Sequence, residues 1–345
     1  MRKRTPVFIR ILKGFYIFIV ILSALIVGAF CTYKVMVHPP EMELPSAPIS
    51  ESSNPASGSE EPNATKTPSK GLVRKEGVYT FLIFGMDDGS GNTDTIMVGS
   101  YDTVNRAVHV ISIPRDTMIE TDRANKRVNA VHASEGVAGL EQELSDMLGI
   151  PIDFYIKVNL QAFVAIVDAV GGIDYNVPVD MDYEDPTQDL YIHLKKGMQH
   201  LNGEKALQMV RCRNAYANQD IGRMATQQGF LSGLSSKVLQ LGNVTKVREF
   251  ASIFNEYVET DLRLGHIIWF GEQLLSLCTE NISFETIPIH SAGYVYRHRA
   301  YVTLDMENVL NTVNETLNPY TTDLKLSDLD MMSVIDDRVV HSRAS

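Results

Sequence analysis

The chain has 345 residues, with 31 Lys and Arg against 42 Asp and Glu, a formal charge of −11. Five of the bases and none of the acids lie in the first thirteen residues, so the remainder holds 26 bases against 42 acids, a formal −16. So acidic a body argues against nucleic acid as a partner, and three cysteines exclude a disulfide-built scaffold.

Arg2, Lys3, Arg4, Arg10 and Lys13 precede Gly14–Tyr33, a stretch without a charged residue. About 20 apolar residues span a bilayer as a helix. The charge bias predicts an uncleaved signal-anchor over 14–34, with residues 1–13 in the cytoplasm and the rest outside the cell membrane. Residues 35–72 are dominated by Pro, Ser, Glu and Asn, a composition that buries too little apolar surface to fold. As a flexible tether this segment holds the folded part within roughly 30–35 Å of the bilayer. Residues 73–345 are long enough for one large core.

In that domain VYTFLIFGM, TIMVGSYD and AVHVISI read as strands, the last two joined by a polar turn at Thr103–Arg106. A helix over Val137–Leu148 is stopped by Gly149 and Pro151, and a strand follows at Phe154–Val158. Asn159 caps a helix in which Phe163, Ile166, Val167 and Val170 share one face before Gly171 and Gly172 end it. A strand at Ile173–Val177 then gives a β-α-β-like rhythm, which predicts a sheet covered by helices. A second capped helix runs from Asn202 to Arg211, and the longest helix starts near Asp220 and continues through Val238.

Three segments carry chemistry. Gly85–Thr95 places Asp87, Asp88 and Asp94 in a glycine-rich loop after an apolar strand. Such a loop either makes an ordinary turn or supplies the one or two carboxylates that a Mg²⁺ bound through phosphate oxygens needs; it lacks the pattern of an EF-hand. SIPRDTM puts Arg115 at the end of another strand, and RVNAVHA offers Arg127 and His132, residue types that in such a place more often pack or sit at the surface. RCRNAYANQDIGRMATQQ gathers Arg211, Arg213 and Arg223. Arg223 and Gln227 are four residues apart in the first two turns of the longest helix, where free backbone N–H groups favour an anion. The alternative for this row is three solvated arginines on a polar loop.

In order and spacing, GMD, DTIMVGSYD, SIPRDT, RVNAVHA, the segment from LGIPIDFY to NVP, LNGEKALQMVRCR, GRMATQQ and NPY resemble the LytR-CpsA-Psr family of bacterial cell-wall enzymes. The resemblance implies a three-layer α/β/α sandwich with a central mixed sheet and a hydrophobic tunnel for a polyprenyl chain. It implies transfer of a glycopolymer phosphate, such as a teichoic acid or capsule precursor, from undecaprenyl diphosphate to peptidoglycan. Asp87 and Asp94 correspond to the acidic pair that serves Mg²⁺, with Mn²⁺ a substitute. Asp87, Asp94, Arg115, Arg213 and Arg223 are then the catalytic set, and Arg115, Arg127, Arg211, Arg213, Arg223 and Gln227 the diphosphate-binding set. Gly89, Asn92 and Thr226 stand where the family pattern has arginines. A polyprenyl diphosphate hydrolase, and a non-catalytic lipid-binding regulator of wall assembly, are the competing functions.

Overall fold

The computed structural model describes residues 32–41, 72–86, 91–186, 190–216, 220–240, 244–335 and 338–342. Large apolar and aromatic side chains occupy successive positions of β1 (Val78–Met86), so both its faces are buried. β1 pairs antiparallel with β2 (Thr93–Asp102), which pairs antiparallel with β3 (Ala107–Ile113). β4 (Phe154–Val158) joins β1 in parallel, and β10 (Ile282–Thr286) joins β3 in parallel. With β9 (Val258–Thr260) on the far edge the order is β10-β3-β2-β1-β4-β9, a mixed sheet in an α/β fold. β1, β3, β4 and β10 therefore run one way, and their carboxyl ends share an edge. The expected β2–β3 hairpin forms, closed by Asp102, whose side chain accepts from the backbone of Val104 and Asn105 at 3.0 and 2.7 Å.

Register divides the side chains of the sheet. Leu82, Phe84, Ile96, Val98, Ile111 and Ile113 point to one face and pack with Leu140, Leu144, Met147 and Leu148 of α1 (Val131–Leu148). Regular helix resumes after a break at Gly136 (φ 70°), in agreement with the expected start near Val137. Tyr79, Phe81 and Tyr101 point to the other face, toward Phe270 of the helix Leu264–Leu274. Helices thus lie on both faces of the sheet.

A second core is built from α2 (Leu160–Ala169), α3 (Gly203–Arg211), α4 (Asp220–Gln240) and four short strands around Val177, Ile192, Leu201, Met209 and Phe230. Both predicted Asn caps form, Asn159 accepting from Ala162 N at 2.7 Å and Asn202 from Lys205 N at 3.0 Å. The β-α-β-like rhythm does not continue into the main sheet. β5 (Ile173–Val177) pairs antiparallel with β8 (Gly197–Leu201), as β6 (Met181–Asp185) does with β7 (Leu190–Leu194). The cause is the Gly171–Gly172 turn, at φ 81° and 74°. A Cβ at Gly172 would lie 2.5 Å from His200 and 2.7 Å from Leu201 O, so only glycine lets β8 approach there.

Two further helices, α5 (Val244–Tyr257) and α6 (Leu264–Leu274), complete the face that carries Phe270, and α7 (Met306–Thr312) packs on the opposite face through Val309. Residues 32–36 are helical and settle on α6: Tyr33 hydrogen-bonds Glu272, the His38 and His266 rings meet edge-on at 5.4 Å, and Val37 is buried. A Cβ at Gly265 would lie 1.9 Å from Met36 O, which explains glycine at that crossing. Of residues 35–41, expected as tether, Val37 and Pro40 are buried and the others exposed, while 42–71 and nearly all of the expected anchor lie outside the described residues. No helix among the described residues is long and apolar enough to cross a membrane.

Asp153 fastens the start of β4 to the entry of the domain. It takes Arg74 on both carboxylate oxygens (Nη1 at 2.7 Å), and accepts from Thr80 N and Oγ1 at 2.8 and 2.9 Å. Both ion-pair side chains are nearly buried, 7% and 12% exposed. Asp153→Ala leaves Arg74 charged without its partner, and denaturant unfolding will register a loss of about 3–5 kcal/mol. Glu143 on α1 illustrates the reverse case: burial, reinforced by Asp330, Asp146 and Glu135 and opposed by Arg123, raises its carboxyl to about 7. A raised folded value means its stabilising contribution is complete below the unfolded value near 4.5 and is lost as pH rises through about 7. Glu143→Gln is accordingly expected to melt above the wild type at pH 8, and this advantage should disappear by about pH 5.

Candidate active site

At the carboxyl edge of the sheet, the ends of β1, β3 and β4 meet α3 and α4. Asp94 opens β2 on the same edge, since Thr95 pairs with Gly85. Arg115, two residues beyond β3, donates from Nη1 to Asp94 Oδ1 at 2.6 Å. Arg223 in the first turn of α4 is only 5% exposed, and its Nη2 donates to the main-chain oxygen of Asp94 at 3.3 Å. One turn later Gln227 donates to Val210 O at 3.0 Å, tying α4 to the end of α3 that delivers Arg211 and Arg213. The structure thus gathers Asp94, Arg115, Arg211, Arg213, Arg223 and Gln227. Asp87 lies outside the described residues.

All of these except Arg115 line one end of a cavity of about 260 Å³. Asp94 is the sole carboxylate on its described wall, so that end is electropositive. The rest of the wall is apolar, with Ile83, Phe163, Phe230 and Leu234 prominent. A second cavity of about 330 Å³ shares Ile83 and continues along the same sheet face toward its amino edge, between Phe81 and Tyr101 on the sheet and Val238, Phe254 and Phe270 on the helices. An anionic head at the arginines and a long apolar tail along the two cavities is the ligand shape that this wall complements.

Arg127 does not join the cavity wall. Its guanidinium donates to Ala300 O at 3.2 and 2.8 Å, lies 3.2 Å from Asp116 and stacks 5.7 Å from the Tyr301 ring centroid. These contacts hold it beside the cavity, outside the wall that the other expected diphosphate ligands line. His132 also has a packing role: its ring bonds Gly91 O at 3.1 Å and lies against Phe84.

Thr226 shows what replaces one family arginine. Its hydroxyl donates to Gly222 O at 3.1 Å, leaving its oxygen to accept from Tyr216 Oη at 2.6 Å. Tyr216 N in turn closes a tight turn on Arg213 O at 3.2 Å. Burial raises the Tyr216 phenol and outweighs the opposing Thr226 bond, so it stays a neutral donor. A neutral, partly buried pair therefore braces the arginine turn where the resemblance leads one to expect a cation. Sequence reasoning singled out Thr226 without its partner, because the two meet only across the turn between α3 and α4.

The oxygen donors are suited to a hard cation. Among the described residues no group of three or more His, Cys, Asp or Glu could enclose a metal. Asp94 alone, beside an arginine-lined wall, fits a Mg²⁺ completed by ligand phosphate oxygens, which needs only one or two carboxylates.

A model of the LytR_cpsA_psr family matches residues 48–318. The chain belongs to the LytR-CpsA-Psr family. Bacillus subtilis TagV, named a polyisoprenyl-teichoic acid–peptidoglycan teichoic acid transferase, is 29% identical over 264 residues, 72% of this chain and 67% of its own length. Bacillus anthracis TagU, a transferase of the same name, is 33% identical over 195 residues; the match spans 55% of this chain and 62% of that relative. The crystal structure of B. subtilis TagV superposes with a TM-score of 0.60 at 27% identity, covering 70% of this chain and 97% of that one. The LytR-CpsA-Psr match includes every described residue of the arginine site, so the cavity geometry belongs to the shared domain.

Tyr216→Phe removes one buried hydrogen bond and leaves Thr226 Oγ1 without its donor. Equilibrium unfolding should record a loss of about 1–2 kcal/mol with an unchanged denaturant slope.

Proposed function

We propose that this chain is a membrane-anchored phosphotransferase that moves a glycopolymer phosphate from an undecaprenyl diphosphate carrier to peptidoglycan. The observation that carries the reading is an arginine-lined pocket beside an apolar cavity that shares Ile83 with it and lies beneath α5 and α6. A free nucleotide or sugar phosphate would leave that apolar length unused. Family membership and the names of TagV and TagU support the same substrate class.

Arg211 and Arg213 reach the head group from the end of α3, and Arg223 from the first turn of α4, where helix N–H groups add to the field. Their role is to bind the diphosphate and to stabilise the charge that collects on polyprenyl phosphate as it leaves. Arg115 orients the Asp94 carboxylate through its 2.6 Å bond. Asp94, with Asp87 of the preceding loop, would hold Mg²⁺, which when bound neutralises diphosphate charge and polarises the scissile bond. Gln227 positions rather than reacts, by fixing α4 to Val210 O. A sugar hydroxyl of peptidoglycan is the acceptor: its oxygen bonds to the glycopolymer phosphorus as the bond to polyprenyl phosphate breaks.

The uncharged stretch at Gly14–Tyr33 and the bases before it support a single-pass anchor, with the N-terminus in the cytoplasm and the domain outside. Residues 32–41 rest on α6, the helix that roofs the apolar cavity. That contact supports a reading in which the apolar cavity faces the segment leading to the bilayer.

The test uses the purified full-length protein with a lipid diphosphate-linked polymer, Mg²⁺ and isolated peptidoglycan. Polymer covalently attached to peptidoglycan is the expected product, and Arg213→Ala and Arg223→Ala should each lower kcat/KM by about 10²–10³. Release of free polymer alone would make the protein a hydrolase. Undiminished transfer by both variants would remove the arginines from the reaction.

A further inference from the structure

The hairpin formed by β11 (Ile289–Tyr296) and β12 (Arg299–Leu304) is not part of the cavity wall, yet it grows from the same edge of the sheet. β11 starts three residues after the carboxyl end of β10. β12 is stitched to the segment following Arg115: Val302 N donates to Asp116 O at 2.9 Å and Met118 N to Val302 O at 2.8 Å. Tyr301 is buried with Met118 and Met332 at the root, and Arg127 clamps Ala300 O to Asp116. The hairpin is therefore a rigid arm fixed to the catalytic loop.

The chemistry of its tip opposes that of the rest of the domain. Between Glu285 and Asp305 there is no acidic residue, whereas His290, Arg297, His298 and Arg299 all fall there. Arg297, His298 and Arg299 are exposed, Val295 is 66% exposed, and neither Arg297 nor Arg299 makes an ion pair among the described residues. Arg297 lies 5.2 Å over the Tyr296 ring, so one guanidinium is already aligned with an aromatic face. Tyr296 pairs with Arg299 across a two-residue turn in which Arg297 and His298 both have positive φ, 47° and 65°. Asn-Gly adopts that turn without strain. A bulky arginine and a histidine in its place point to a use for the side chains at the tip.

We propose that this tip is a second anion site, which holds the sugar-phosphate or polyol-phosphate backbone of the glycopolymer as it emerges from the arginine pocket. The inference rests on the transferase reading and adds to it the part of the substrate beyond the diphosphate. Forked guanidinium groups match successive phosphates, and tyrosine faces suit sugar rings. The placement favours polymer over a lipid surface. The segment leading to the expected anchor lies on α6, which roofs the cavity that runs toward the amino edge of the sheet; the hairpin rises from the carboxyl edge. An arm of this kind would select an anionic polymer over a neutral one at a point the diphosphate site does not reach.

The test measures fluorescence anisotropy of a labelled, lipid-free poly(glycerol phosphate) oligomer with the full-length protein in detergent. Arg297→Ala/Arg299→Ala should weaken oligomer binding at least about tenfold, and Arg297→Lys/Arg299→Lys should recover most of it. Thermal melting of both variants at the wild-type temperature would show that the loss is not unfolding. Farnesyl diphosphate, which carries no polymer, is measured in parallel against Arg213→Ala. A failure of that second measurement would count against the transferase site and leave the hairpin result standing. Oligomer affinity of the double alanine variant within about twofold of wild type would overturn the proposal. So would a selective loss of binding to phosphatidylglycerol vesicles with oligomer binding intact, which would make the arm a membrane contact.

Discussion

Several guanidinium groups at the mouth of an apolar cavity constrain everything around them. Two such groups about 4 Å apart repel by roughly 4 kcal/mol at an effective dielectric near 20, and Arg223 is almost fully buried. The described wall offers one carboxylate in return. Arg115 takes one oxygen of that carboxylate, and Arg223 takes the main-chain oxygen of the same residue. Asp94 is thus the pivot of the arrangement, and Arg211 and Arg213, which make no ion pair among the described residues, line the cavity beside it.

α4 converts that local chemistry into a whole-domain property. Its first two turns carry Arg223 and Gln227, its middle buries Phe230 in the second core, and its last turns give Val238 and Leu239 to the apolar cavity. One rigid rod of 21 residues therefore spans from the head-group pocket to the tail cavity. The second core, with its paired β5–β8 and β6–β7 strands, serves to hold α3 and α4 so that their ends converge. Because the Gly171–Gly172 turn takes β5 out of the main sheet, that core can form over the strand ends.

Arginine alone does not signal an anion site in this protein. Arg74 and Arg127 each face a carboxylate partner, Asp153 and Asp116, and each fastens two parts of the backbone together. Arg211 and Arg213 make no ion pair among the described residues and line a cavity. Arg297 and Arg299 stand in water on a strained turn. Their environments, rather than their residue type, separate structural from ligand-directed cations.

The sequence by itself determined the local pieces: the β-branched and aromatic runs of the sheet, the Asn159 and Asn202 caps, and the bounds of α2, α3 and α4. These depend on neighbours a few residues apart, and the physics of caps and periodicity is short-range. It also singled out Asp94, Arg115, Arg211, Arg213, Arg223 and Gln227, which the resemblance to the LytR-CpsA-Psr family assigns to one site and which packing gathers at one edge of the sheet. Tertiary structure alone decided that β5 leaves the main sheet, that Arg127 fastens a hairpin, that Tyr216 meets Thr226, and that two cavities run on from the arginines. Each of those outcomes depends on partners far apart in the chain, such as Arg127 and Ala300 or Ile83 and Phe254, whose proximity is settled by packing and leaves no pattern in the order of residues.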